Sequence, residues 1–151
     1  MRRLLLCLSL FAAAQSKPDF TGTWRLNLAA SDYSDPSAAP PDQITVVIKQ
    51  KGDHFEYQWE HRARGKTNRF EVDATAGGAP YESDAAGVVS LEWKGESLIV
   101  STLYNPGQDR QSDQAEVWTL SPDHKRLTED LTVHPLKHGA PVHVVRVFDK
   151  Q

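Results

Sequence analysis

The stretch His54-Phe55-Glu56-Tyr57-Gln58-Trp59-Glu60 sets three aromatic side chains on one face of an extended chain and polar groups on the other. A period of two is the geometry of a half-buried strand, because successive Cβ atoms point to opposite faces; a helix would scatter these rings around its axis. The same alternation runs through Ile44, Val46 and Ile48 before it and through Phe70 and Val72 after it. Val89, Leu91 and Trp93 then alternate with Ser90, Glu92 and Lys94. Leu98-Ile99-Val100 is continuously apolar, which leaves its facing open. With residues 20–28, 116–120, 127–133 and 142–148, the chain holds about nine strand candidates.

The prolines and the glycines at 52, 65, 77, 78, 95, 107 and 139 fall between these runs. A proline inside a central strand would remove a ladder N–H, and none of the nine sits there. Lys51-Gly52, Arg64-Gly65-Lys66 and Lys94-Gly95 are tight-hairpin signals. Ser121-Pro122-Asp123-His124 fits a type I turn with proline second, which puts His124 in a left-handed position. Intervals of around ten residues favour an antiparallel meander over βαβ units. The exception is 29–42, rich in Ala, Ser, Asp and Pro; a short helical turn near 31–33 fits there, but Pro36, Pro40 and Pro41 forbid a long helix. With no internal repeat and no linker, 151 residues make one all-β domain.

Residues 1–16 read as a secretory signal peptide. Arg2 and Arg3 form a positive n-region, an apolar stretch follows, and Ala12-Ala13-Ala14 gives the small-x-small cleavage pattern, with cleavage after Ala14 or after Ser16. The apolar stretch is shorter than the roughly 20 residues of a membrane span. Cys7 follows the large Leu6, which does not suit a lipoprotein signal, and reads as a passive hydrophobe in a discarded segment. The remaining domain, 17–151, then has no cysteine and is more acidic than the full chain's net charge of -3. That excludes a disulfide framework and a cysteine zinc site, and it argues against a nucleic-acid partner, which calls for a basic face. The expected product is exported, periplasmic or extracellular.

The opening strand, Pro18-Asp19-Phe20-Thr21-Gly22-Thr23-Trp24-Arg25-Leu26, resembles that of lipocalins and fatty-acid-binding proteins, the calycin superfamily. More closely, the chain resembles small secreted bacterial lipocalin-like proteins. It shares their Gly-Thr-Trp start, a Pro-rich loop, a Trp-x-Gly-x-x-Leu hairpin (Trp93 to Leu98) and a Trp118-Thr119-Leu120-Ser121 strand. The resemblance spans about residues 18–151 and implies an antiparallel up-and-down β-barrel of about eight to ten strands. It also implies that Gly22 and Trp24 form a structural plug at the closed end. Arg146, on the last strand, would pack across Trp24 as a cation–π pair or else face solvent between inward Val145 and Val147.

Chemistry-bearing patterns are sparse. There is no Gly-x-Ser-x-Gly elbow, and the six histidines, His54, His61, His124, His134, His138 and His143, form no metal-ligand pattern. His134 and His138 have helical spacing, but Pro135 and Gly139 make their segment a loop. Asp73, Glu82, Asp84, Asp109 and Asp113 look like solubilising charge. No catalytic residue, metal site, cofactor or tuned acid pair is expected. The candidate ligand-binding residues are Tyr57, Trp59, His61, Phe70, Trp93, Tyr104 and Trp118, with Asn68 as a further polar group of suitable parity. Three readings follow: a carrier of a small hydrophobic ligand, a barrel with a filled interior acting through its surface or N-terminal arm, or an enzyme in which His61 meets an acid neighbour.

Overall fold

The computed structural model describes residues 17–105, 107, 111–135 and 139–151. The expected signal segment with Cys7 lies outside the described residues, as do Pro106, Asp109 and His138. Ten strands form one antiparallel sheet among the described residues: β1 Gly22–Leu26, β2 Gln43–Lys51, β3 His54–Ala63, β4 Lys66–Thr75, β5 Tyr81–Ser83, β6 Gly87–Lys94, β7 Ser97–Tyr104, β8 Ser112–Leu120, β9 Arg126–Pro135 and β10 Val142–Lys150. Their order in space is β4-β3-β2-β1-β10-β9-β8-β7-β6-β5, so the sheet curls into a nearly closed barrel with its first and last described strands laddered together. The break in the ladder falls between β4 and β5. There the chain leaves β4 with the Ala76 N–H donating to the Asp53 carbonyl and the Gly77 N–H to the Leu91 carbonyl, both at 2.8 Å.

Most expected strands are present, and the departures have local causes. β5 is the strand the alternation did not reveal: Tyr81-Glu82-Ser83 is too short to show a period. Around Leu98, side chains alternate after all, with Leu98, Val100 and Thr102 buried. The helical turn is a 3-10 turn over Leu28–Ala30, earlier than 31–33, because the Asn27 side-chain oxygen accepts from the Ala30 N–H at 3.1 Å and caps it there. Beyond it, Asp32 exchanges backbone hydrogen bonds with Val145, so the first part of the 29–42 segment lies along β10. His134 sits exposed at the end of β9 and not in a loop, its strand extending to Pro135. His124 does take a left-handed conformation, with φ of 57°.

One end of the barrel is packed shut. Phe20 is fully buried, with its ring centroid 6.4 Å from Phe55, 6.0 Å from Trp93 and 6.4 Å from Trp118. Trp24 is also fully buried, and its Nε1–H donates to the Phe20 carbonyl at 2.9 Å. The cation over the Trp24 ring is Lys150, with Nζ 5.2 Å from the centroid. Arg146 does not pack across Trp24, nor does it face solvent. It lies two positions before Phe148 along β10, so it shares the inward face at a higher level of the barrel. Gly22 has φ of 153°, and a Cβ there would meet the Lys150 side chain at 2.7 Å, so its bareness lets the lysine lie across the tryptophan.

Candidate functional site

The other end of the barrel is not filled. A cavity of about 180 Å³ is lined by Tyr57, Trp59, His61, Phe70, Thr102, Tyr104, Gln114, Glu116, Trp118 and Arg146. Strand parity explains the set: residues 57, 59 and 61 of β3, 102 and 104 of β7, and 114, 116 and 118 of β8 each follow one face. Trp59 anchors the wall. It stacks on Phe70 at 6.0 Å and 12°, lies 6.4 Å from Trp118, and meets Phe148 edge-on at 5.9 Å.

Six of the seven sequence candidates, Tyr57, Trp59, His61, Phe70, Tyr104 and Trp118, line this cavity. Trp93 does not. It belongs to the closed end, 5.8 Å from Phe55, with its Nε1–H donating to Asp53 at 2.9 Å. Its parity on β6 is inward, but its height in the barrel is wrong. Asn68 is exposed near the β3–β4 turn and does not reach the cavity.

The charged part of the site was not expected at all. Glu129 is 1% exposed and Glu116 9% exposed, so two acids lie inside the barrel, in place of the solvated acids that the sequence reading considered. Trp118, Glu129 and Arg146 are direct cross-strand neighbours on β8, β9 and β10. Arg146 donates from Nη1 to both Glu129 oxygens at 3.1 and 3.4 Å, and from Nε to the Tyr33 hydroxyl at 3.1 Å. Its guanidinium carbon stands 5.9 Å from the Trp59 ring centroid. Glu116 accepts from Trp118 Nε1–H at 2.8 Å.

Burial and the neighbouring Glu129 raise the Glu116 carboxyl well above the ordinary carboxylate range. Burial also raises Glu129, against the opposing pull of Arg146. Glu116 has no cation paired with it as Glu129 has, so of the two it is the acid that burial keeps protonated. Burial and the Glu116 charge push the phenols of Tyr57 and Tyr104 up as well, which keeps both hydroxyls protonated. Burial, aided by Arg146, lowers His61 and leaves its imidazole neutral at neutral pH.

These shifts have a stability consequence with a definite sign. An acid held protonated by the fold binds its proton more tightly folded than unfolded, so its contribution is full below the unfolded value of 4.5 and is lost as pH rises through the folded value. Each tenfold difference in proton affinity between the two states is about 1.4 kcal/mol. Glu116→Gln keeps the shape and removes the titration. Urea melts between pH 4 and pH 8 are expected to show wild-type stability falling with pH more steeply than that of the variant. Parallel slopes would mean that Glu116 is not protonated by the fold.

No family model matches the chain, and neither does any curated protein sequence. Solved structures do. The chain is similar to lipid binding protein 8 of Caenorhabditis elegans, with a TM-score of 0.56 and 14% identity over 87% of this chain and 95% of that one. It is also similar to secretory abundant heat soluble protein 4 of Ramazzottius varieornatus, with a TM-score of 0.57 and 15% identity over 87% of this chain and 94% of that one. The likeness is one of fold. Among the described residues, no three His, Cys, Asp or Glu side chains gather in a way that would hold a metal ion.

Proposed function

We propose that this is an exported, non-enzymatic binding protein that holds one small, mainly apolar molecule at the open end of its barrel. The observation that carries the reading is the aromatic-walled cavity of about 180 Å³, left in a barrel whose other end is packed solid. Pockets for small molecules combine apolar walls with polar groups that fix orientation; here the rings of Tyr57, Trp59, Phe70, Tyr104 and Trp118 supply the first, and the polar groups are unusually many. A fold shared with a protein named for lipid binding supports it. Export rests on the n-region, apolar stretch and small-residue cleavage pattern of residues 1–16.

The surface-acting alternative needs a free arm and a filled interior. Against the first, Lys17 is tied to Asp53 at 2.8 Å and lies 5.2 Å over the Trp93 ring. An enzyme would need an acid partner for His61, and Glu116 and Glu129 are engaged with Trp118 and Arg146 instead.

Native mass spectrometry of the purified protein, with tryptophan-fluorescence titration by apolar probes from ring-sized to long-chain, tests the proposal. Ring-sized probes are expected to quench. Trp59→Ala should weaken them at least tenfold, while Trp93→Ala, at the opposite end, leaves them within about twofold. Absence of retained mass and of quenching across the whole series would overturn the reading.

A further inference from the structure

We propose that the cavity takes a small amine on an aromatic or alicyclic body, its ammonium group seated against Glu116, and turns away carboxylates of the same size. This rests on the binding reading above and names the chemical class of the ligand. The starting point is which charge an incoming molecule meets. Glu116 and Arg146 both line the cavity, but they do not present themselves equally. The guanidinium is matched by Glu129, which takes both of its Nη1 contacts, while Nε is given to Tyr33. Among the described residues Glu116 has only the Trp118 indole as an N–H donor and no ion-pair partner. Glu129 is matched by Arg146, so Glu116 is the acid without a counter-charge, and burial holds a proton on it. An incoming ammonium can take the place of that proton and release it to solvent, whereas a carboxylate would meet an acid where little water can screen it.

Hydrogen-bonding capacity agrees. An ammonium group has three donors and no acceptor, so it needs a cluster of oxygens. Tyr57 and Thr102 are each 4% exposed, both line the cavity, and neither side-chain hydroxyl has a hydrogen-bond partner among the described residues. With the Glu116 carboxyl and the side-chain amide of Gln114, they put acceptor oxygens on β3, β7 and β8 around one space. Among the described residues no buried side-chain polar atom is left unpaired, so these two hydroxyls are open to the cavity, where a ligand's donors can bond them. Around them stand the rings of Tyr57, Trp59, Tyr104 and Trp118, whose faces attract a cation.

Size sets the rest of the molecule. A cavity of roughly 150 Å³ holds a benzene ring, whereas drug-sized ligands occupy roughly 300–1,000 Å³. At about 180 Å³ the present cavity suits one ring with a short arm and is too small for a long acyl chain.

The test uses three probes of one shape: 2-phenylethylamine, 2-phenylethanol and 3-phenylpropionate, titrated into the mature protein at pH 7 by calorimetry and tryptophan fluorescence. The amine is expected to bind at least tenfold tighter than the alcohol, and the carboxylate most weakly. In Glu116→Gln, with folding checked by circular dichroism, the amine should fall to the level of the alcohol while the alcohol is unchanged. If the alcohol binds wild type as tightly as the amine, or the carboxylate binds tightest, the amine assignment is overturned and the binding reading survives. Should the amine keep its advantage in Glu116→Gln, the seat at Glu116 is overturned. If none of the three binds, the amine assignment is overturned, and the binding reading is decided separately by the retained mass and the wider probe series.

Discussion

Arg146→Met is expected to destabilise the barrel by about 3–5 kcal/mol at neutral pH, the cost of leaving a buried acid without its counter-charge. For a chain of this length that lowers the thermal midpoint by roughly 10 °C. The reasoning turns on Glu129, which is 1% exposed and has Arg146 as its ion-pair partner at 3.1 Å. Methionine fills much of the arginine's volume, so the loss reports charge more than packing. The effect should shrink in acid, where protonation of Glu129 removes the stranded charge. It should also shrink in a Glu129→Gln background, because an amide has no charge to strand. Chemical denaturation of the four proteins at pH 4.5 and pH 7.5 gives the complete cycle. An equal cost of Arg146→Met with and without Glu129 would show that the arginine acts through Trp59 and Tyr33 alone.

Trp24→Ala is expected to cost about as much, 3–5 kcal/mol, for a different reason. Trp24 is fully buried at the closed end, and its removal leaves a cavity, strands the Phe20 carbonyl that accepts from its indole, and takes away the ring beneath Lys150. The variant should still bind a ring-sized probe within about twofold at temperatures where it is folded, because Trp24 does not line the mouth-end cavity. Trp24→Phe, which keeps most of the apolar volume, should cost clearly less. A Trp24→Ala protein that is as stable as wild type but no longer binds would reverse the assignment of plug and pocket.

The two arginine readings drawn from sequence show where pattern reading stops. Alternation identifies a strand's inward face, so Tyr57, Trp59 and Phe70 could be placed inside from their neighbours alone. It does not give height along the barrel axis. Trp93 has the right parity and the wrong level, and Arg146 was matched to Trp24 when it stands beside Trp59. The acid pair was within reach. The turn at Ser121-Pro122-Asp123-His124 sets Leu120 opposite Leu127, and counting back along the hairpin brings Glu129 opposite Trp118. Alternation along β9 then puts Glu129 on the same face as Leu127 and Leu131. Neither Glu116 nor Glu129 was singled out, since charge at an inward position breaks the rule that made the strands legible. Tyr33 was beyond such counting, because an irregular segment along β10 brings it to Arg146.

The break in the barrel lies in the middle of the chain and not at its ends. Because β1 is laddered to β10, the described strands read in space as β5 through β10 followed by β1 through β4. That is the order of a plain ten-strand meander whose termini would meet at residues 76–80. The chain is thus a circular permutation of the simplest path through its own fold. Joining the residues before β1 to those after β10 and opening the chain at 76–80 would keep every strand pairing described and turn the seam into a pair of ordinary termini. Conversely, the first and last described strands are structural: the strand that carries Trp24 and the strand that carries Arg146 hold each other in place.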